Sequence, residues 1–149
     1  MILKSFSKIN LSLGVNKKLN NGLHDIQSYY CLINLFDEIK DKKIKNNFDK
    51  IIFKGKFATS IKKSNNSILN TLSILRKKNI ISNFYSIIVN KKIPIFAGLG
   101  GGTSNSVYLI KHLTEKKNIK NILSICEKRI GSDMRLFLNE KGYLYDLNT

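Results

Sequence analysis

The stretch Pro94–Asn105, PIFAGLGGGTSN, combines residue types that can bind an anion. It follows Phe84–Ile93, an apolar and β-branched run typical of a buried strand, and it precedes apolar residues at helical spacing. A glycine loop between a strand and a helix brings bare backbone N–H groups and a helix N-terminus together. We therefore expect a phosphate loop, with Thr103 or Ser104 as the N-cap of the helix. A tight structural turn is the alternative.

Two common phosphate-loop templates fit this stretch poorly. A Walker A loop has Lys after its last glycine, whereas Thr103 follows Gly102 here. The dinucleotide fingerprint has glycine at the sixth position, which counted from Gly98 is again Thr103. The sequence therefore predicts a phosphate loop of a different kind.

A second group of polar residues lies near the start of the chain. Leu3–Val15 alternates, which predicts a strand with one core face and one polar face. Lys8 and Asn10 should project from the polar face. The expected core face holds Ile9, Leu11, Leu13 and Val15. By spacing alone, Lys8 could equally be an ordinary edge-strand charge.

Length and composition limit the classes of protein to which this chain can belong. A chain of 149 residues is long enough for one domain with a core. The net charge of +16 invites a nucleic-acid interpretation, but the lysines are spread along the chain and there are only three arginines. We expect no dedicated nucleic-acid binding, and we keep a basic RNA-binding domain as the alternative. Such a charge would also attract nucleotides.

The cysteines and the first residues of the chain are informative about its cellular location. Cys31 and Cys126 have neither metal nor redox spacing, which favours reduced core residues. No apolar run is long enough to span a membrane, and the first residues do not resemble a signal peptide. We therefore expect a cytoplasmic protein without membrane association.

The coarse pattern predicts an α/β domain, of the two-layer α+β kind, in which helices pack on a mixed sheet. Ile26–Ile39 is apolar on both faces, as expected of a strand covered on two sides. The predicted strands are Leu3–Val15, Ile26–Ile39, Ile51–Phe53, Phe84–Ile93 and Tyr143–Leu147, and helices should begin near Asn66, Thr103 and Asn118.

Three segments resemble the GHMP kinases, a family of small-molecule kinases. The glycine loop is similar to the family's Pro-x-x-x-Gly-Leu-Gly loop, which wraps the ATP phosphates. Ser7–Leu13 and Asn21–Ile39 resemble the opening of the branch whose acceptor is a diphosphocytidyl-linked sugar alcohol of the methylerythritol phosphate route. Gly131–Phe137 resembles the segment that carries the family's catalytic aspartate.

The resemblance implies ATP as co-substrate with Mg²⁺, and it implies roles for individual residues. Asp133 would be the catalytic base, and Lys8 would stabilise the reacting hydroxyl. Asn10 and His24 would bind the acceptor, and Ser104 would be a weak Mg²⁺ contact. The implied ATP-binding residues are Pro94, Ala97, Gly98, Leu99, Gly100, Gly101, Gly102, Thr103, Ser104 and, near the adenine, Asn66.

The chain departs from the family in three respects. Leu23 replaces a cytosine-stacking tyrosine, and Arg135 replaces a proline. The resemblance covers only the amino-terminal half of a family member, so we expect one domain over residues 1–149, with the carboxy-terminal GHMP domain absent. A reduced active kinase, one piece of a split enzyme and an inactive remnant all remain open. Exposed apolar residues such as Tyr29, Tyr30 and Phe36 predict self-association or a second chain.

Overall fold

The computed structural model describes residues 1–18, 24–62 and 64–145. Its strands are β1 (Leu3–Asn10), β2 (Gly14–Lys18), β3 (His24–Ile44), β4 (Lys50–Lys54), β5 (Phe84–Asn90) and β6 (Lys141–Tyr145). Its helices are α1 (Ser67–Lys77), α2 (Gly101–Leu113), α3 (Ile119–Ile130) and a 3-10 helix at Ser132–Leu138.

β3 is the strand on which the sheet is built. It pairs antiparallel with β1, β2, β5 and β6, and β4 joins the far side of β5 in parallel. Parallel neighbours need a crossover connection, and α1 lies in the connection between β4 and β5. The predicted mixed sheet with packed helices is confirmed.

One hydrophobic core joins the sheet to the helices. Its fully buried members include side chains from β3 and β5 and from all three α-helices: Ile39, Ile87, Val89, Leu72, Leu75, Leu109, Ile110 and Leu123. Cys31 and Cys126 are free thiols, and burial raises the pKa of Cys126 to about 11. No helix in the described ranges has the length and apolar character needed to cross a bilayer.

Two helix starts lie where the sequence predicts them. Asn66 caps α1, because its side-chain Oδ1 accepts a hydrogen bond from the Leu69 N–H at 3.0 Å. Asn118 precedes α3, which ends before Gly131. The third start is different, since α2 begins at Gly101, ahead of the predicted Thr103.

The predicted strand Leu3–Val15 is wrong, because β1 ends before β2 begins. The backbone N–H groups of Leu11 and Ser12 both donate to the Tyr29 carbonyl, at 2.7 and 3.4 Å. Two successive residues therefore face one residue of β3, and the alternation along the chain is interrupted.

A second irregularity lies within β1. The register against β3 shifts between Phe6 and Ser7, so that Ser7 and Lys8 are both buried although they are neighbours. The residue of β3 opposite the strand changes from Phe36 at Phe6 to Ile33 at Ser7, so two residues of β3 are left out of the pairing. The predicted core face is wrong, because Leu11, Leu13 and Val15 are exposed.

The remaining differences concern strand ends and exposure. β3 extends beyond Ile26–Ile39 at both ends, β5 stops before Ile93, and the last predicted residues of Tyr143–Leu147 lie outside the described residues. Of the three aromatic residues expected at the surface, only Tyr29 is largely exposed, whereas Tyr30 is buried and Phe36 partly buried. Tyr30 is covered because Gly142 of β6 packs directly against its ring.

We predict that the core position Ile110 carries far more stability than a matched surface isoleucine. Ile110 in α2 is 0% exposed and Ile125 in α3 is 41% exposed. Ile110→Ala should lower the free energy of unfolding by about 2–5 kcal/mol, because it leaves a cavity that the core cannot close. Urea denaturation of both alanine variants measures the difference. Similar losses for the two variants would contradict the single core described above.

Candidate functional site

A cavity of about 470 Å³ lies against the start of α2. The glycine loop forms one wall, and the segment that leads into α1 contributes another. Its lining from outside the loop includes Phe53, Ser60, Ile61, Lys62, Asn65, Asn66, Ser67 and Lys91. The cavity is therefore apolar in part, and its lining includes the glycine-rich backbone and two lysines.

The loop conformation depends on two glycines. Gly98 and Gly100 have φ values of +72° and +69°, in the left-handed region that side chains disfavour. A Cβ on Gly100 would lie 2.6 Å from Cζ of Phe137 and 3.5 Å from Cγ of Lys8. A Cβ on Gly98 would meet nothing within 4 Å. Gly100 thus permits close packing, whereas Gly98 faces open space.

The glycine loop is attached directly to β1. The Lys8 N–H donates to the Leu99 carbonyl at 3.1 Å. This hydrogen bond brings the Lys8 side chain beside the loop and aligns the polar end of β1 with the N-terminus of α2. The glycine loop and the polar group near the start of the sequence therefore form one site.

Lys8, Asn10 and Asp133 form a polar cluster beside the loop. Lys8 Nζ donates to Asn10 Oδ1 at 2.6 Å and lies 3.4 Å from Asp133 Oδ2. Asn10 Nδ2 in turn donates to Ser28 Oγ at 2.8 Å. The Lys8 side chain is 9% exposed and that of Asp133 is 44% exposed, so the carboxylate remains accessible to a ligand. The predicted shared face of Lys8 and Asn10 is confirmed.

The 3-10 helix that carries Asp133 is fixed against α2. Phe137 packs beneath Gly100, and its carbonyl accepts a hydrogen bond from Lys111 Nζ at 2.6 Å. Burial, with a smaller contribution from nearby Lys116, lowers the pKa of Lys111. Arg135, which replaces the family proline, lies at the surface and pairs with Glu127 at 2.6 Å. The replacement therefore leaves Asp133 beside Lys8.

A buried ion pair between Asp37 and Lys91 supports the loop from below. Asp37 Oδ1 also accepts hydrogen bonds from the N–H groups of Lys92 and Ile93, at 2.7 and 2.9 Å. Lys91 Nζ lies 3.3 Å from the position of a Cβ on Gly101. Sequence reasoning missed this pair, although an aspartate within the apolar run of β3 indicates a buried partner.

Ser104 does not lie where the sequence analysis expects it. Its side chain is fully buried, its hydroxyl donates to the Phe6 carbonyl at 2.5 Å, and Ser5 Oγ is 2.7 Å away. The Phe6 carbonyl and the Ser5 hydroxyl both bind the Ser104 hydroxyl, which a contact to ATP or Mg²⁺ would need. The expected Ser104 contact is therefore wrong, because α2 turns this residue towards β1 rather than into the cavity. Thr103, by contrast, lines the cavity.

Two asparagines line the cavity with different surroundings. Asn66 is committed to the helix start, since its Oδ1 caps α1 and its Nδ2 donates to the Lys62 carbonyl at 3.3 Å. Asn105 Oδ1 is buried, and the described residues provide it with no hydrogen-bond donor. The sequence analysis overlooked Asn105, whose position directly after the loop was its one signal.

The predicted acceptor residue His24 is described only in its backbone. It begins β3 and pairs with Lys18 of β2. Leu23, at the position of the family's stacking tyrosine, lies outside the described residues. Within the described ranges, no group of three or more His, Cys, Asp or Glu side chains is arranged to hold a metal ion.

Solved structures of kinases share this fold. The fold is similar to that of a crystallised mevalonate kinase, with a TM-score of 0.63 over 98% of this chain and 54% of the other, at 18% identity. It is also similar to a 4-(cytidine 5'-diphospho)-2C-methyl-D-erythritol kinase, with a TM-score of 0.72 over 97% of this chain and 52% of the other, at 20% identity. The chain has the fold of a GHMP kinase domain, as the sequence resemblance predicts.

The chain is also similar in sequence to curated kinases of one name. A 4-diphosphocytidyl-2-C-methyl-D-erythritol kinase from Ureaplasma parvum is 36% identical over 146 residues, which are 96% of this chain and 54% of that protein. One from Pelagibacter ubique is 39% identical over 138 residues, 90% of this chain and 48% of that protein. The chain thus spans about half the length of the curated relatives it matches. No family model matches it.

We predict that alanine is more harmful at Gly100 than at Gly98. Both substitutions should cost about 1–2 kcal/mol because both glycines occupy the left-handed region. Only Gly100→Ala also forces a Cβ to within 2.6 Å of the buried Phe137 ring. Urea denaturation should therefore show a clearly larger loss in the free energy of unfolding for Gly100→Ala than for Gly98→Ala. Equal losses in the free energy of unfolding would mean that the Phe137 ring moves aside without destabilising the protein.

We also predict that neutralising Asp37 is severely destabilising. Asp37→Asn leaves the buried Lys91 charge without a counter-charge, so it should cost about 3–5 kcal/mol in the free energy of unfolding. Glu38→Gln is the matched control, because Glu38 pairs with Lys92 at the surface at 2.7 Å. Its loss in the same denaturation experiment should be much smaller. A small loss for Asp37→Asn would argue against a charged pair.

Proposed function

We propose that this chain forms the ATP-binding part of a kinase that phosphorylates the 2-hydroxyl of 4-diphosphocytidyl-2-C-methyl-D-erythritol. The observation that carries the proposal is the Lys8–Asp133 pair at 3.4 Å, beside a glycine-loop cavity. The similarity to kinases of that name supports the choice of acceptor. The two free thiols support a cytoplasmic location, which we propose with it.

Phosphoryl transfer requires positioning and charge neutralisation more than covalent chemistry. We assign ATP to the cavity, with its phosphates against the loop amides and the N-terminus of α2. Asn66 and the apolar residues Phe53 and Ile61 line the part of the cavity that we assign to the adenine side. Lys91 also lines the cavity next to Gly101, and the buried Asp37 carboxylate balances its charge.

The polar cluster supplies the proton transfer. Asp133 accepts the proton of the acceptor hydroxyl as its oxygen attacks the γ-phosphorus and the bond to the ADP oxygen breaks. Lys8, largely shielded from water, stabilises the charge that develops on the attacking oxygen. Asn10, at the end of β1, and His24, at the start of β3, would bind the acceptor, as the sequence resemblance implies.

Mg²⁺ would reach the site on the ATP phosphates, which supply most of its oxygen ligands. Among the loop hydroxyls, that of Thr103 is the one we assign to this ion, because Thr103 lines the cavity and Ser104 does not. The ion would neutralise charge on the ATP phosphates.

The acceptor site needs a further wall, which we propose comes from a second polypeptide segment, either from another molecule or from a second copy. An exposed aromatic pair supports this. The rings of Tyr29 and Tyr143 are in contact, with centroids 4.5 Å apart and planes tilted by 43°, and both residues are about half exposed. The exposed Leu11 adjoins Tyr29 through a backbone hydrogen bond. These three residues form an apolar patch near Asn10.

The proposal predicts that Asp133→Asn abolishes turnover without abolishing ATP binding. Thermal unfolding should shift upward with Mg-ATP in both wild type and variant, because Asp133 is assigned to the acceptor. ADP release in the presence of the diphosphocytidyl alcohol should fall by about 10²–10⁴-fold, the usual contribution of a general base. Glu140→Gln, which removes an exposed carboxylate elsewhere, is the control and should keep full activity.

The assay should be run on the purified chain alone and in cell extract, with an RNA filter-binding titration beside it. An ATP shift with turnover only in extract would support a second polypeptide. An ATP shift without turnover in either condition would favour an inactive remnant. RNA retention without an ATP shift would favour the RNA-binding alternative that the net charge of +16 suggests.

A further inference from the structure

Phe96 is a fully exposed aromatic residue at the mouth of the cavity. It is 98% exposed, and it lines the cavity together with the glycine loop in which it stands. Exposure of a phenylalanine ring to water is unfavourable when nothing covers it. Fold stability alone therefore gives no reason for an aromatic residue at this position.

The backbone at Phe96 is also unfavourable for its residue type. Its φ is +58°, in the left-handed region where a bulky side chain is a genuine outlier. Glycine would adopt this conformation freely, as Gly98 and Gly100 do in the same loop. Strained residues of this kind cluster at ligand-binding sites, where the surroundings hold them in place. Phe96 thus lines the cavity although both its exposure and its backbone conformation are unfavourable.

The chemistry of the cavity indicates which part of a ligand the ring contacts. The N-terminus of α2, with its backbone N–H groups, attracts phosphates, whereas the negative face of an aromatic ring does not. The apolar part of the lining includes Phe53, Ile61, Pro94 and Ile95. In a nucleoside triphosphate, the base is the group with an apolar π face that matches such a lining.

We propose that Phe96 is a stacking platform that covers the base of the nucleotide and closes the cavity over it. This inference rests on the proposed ATP-binding role of the cavity, and it adds a base contact made by the glycine loop itself. Because stacking tolerates any base, Phe96 contributes affinity for the nucleoside part rather than choice of base.

Binding of ATP and of inorganic tripolyphosphate, both with Mg²⁺, to the purified full chain tests the inference. Phe96→Gly should bind ATP about tenfold more weakly, because it removes the stacking ring. Its affinity for tripolyphosphate should not change, because that ligand has no base. Its thermal unfolding midpoint should not fall, because glycine fits the backbone conformation. Phe96→Tyr should restore ATP affinity.

Phe48→Ala is the matched control, since Phe48 is 66% exposed and does not line the cavity. It should leave both affinities unchanged. Unchanged ATP affinity in Phe96→Gly would overturn the inference, and so would an equal loss for both ligands, which would indicate altered loop geometry. If wild type bound neither ligand, the proposed function itself would fail, and the inference with it.

Discussion

The buried carboxylate of Asp37 is the interaction on which the site depends. It lies in the middle of β3, pairs with Lys91, and accepts hydrogen bonds from the N–H groups of Lys92 and Ile93. One side chain therefore satisfies three donors where β5 ends and the glycine loop begins. A buried charge is stable only with such compensation. The point from which the loop leaves the sheet is fixed by this requirement.

Close packing at Gly100 then unites parts of the chain that are distant in sequence. Lys8 from β1 and Phe137 from the 3-10 helix both approach this glycine, and the absence of a side chain permits it. The same contact brings Asp133 to Lys8, because Asp133 lies on the 3-10 helix that Phe137 anchors. Loop geometry and the spacing of the two charged groups are thus coupled, so a change at the glycine would alter both.

The polar interior of β1 serves this arrangement. The register shift after Phe6 buries Ser7 and Lys8 in succession, and Ser5 faces α2, where it contacts Ser104. These groups have partners, as buried polar groups require. The Lys8 backbone N–H binds the Leu99 carbonyl, which holds Lys8 beside the glycine loop.

The sequence by itself determined the glycine loop, the helix starts at Asn66 and Asn118 and the mixed sheet, because local patterns of glycine, capping residues and apolar period encode them. It also indicated Lys8 and Asp133, through motif resemblance. Only the tertiary structure decided that Ser104 faces β1, that Asp37 pairs with Lys91 and that Phe96 stands exposed in a left-handed conformation. Each of these depends on a strand register or on a contact between distant segments, and one-dimensional spacing contains neither.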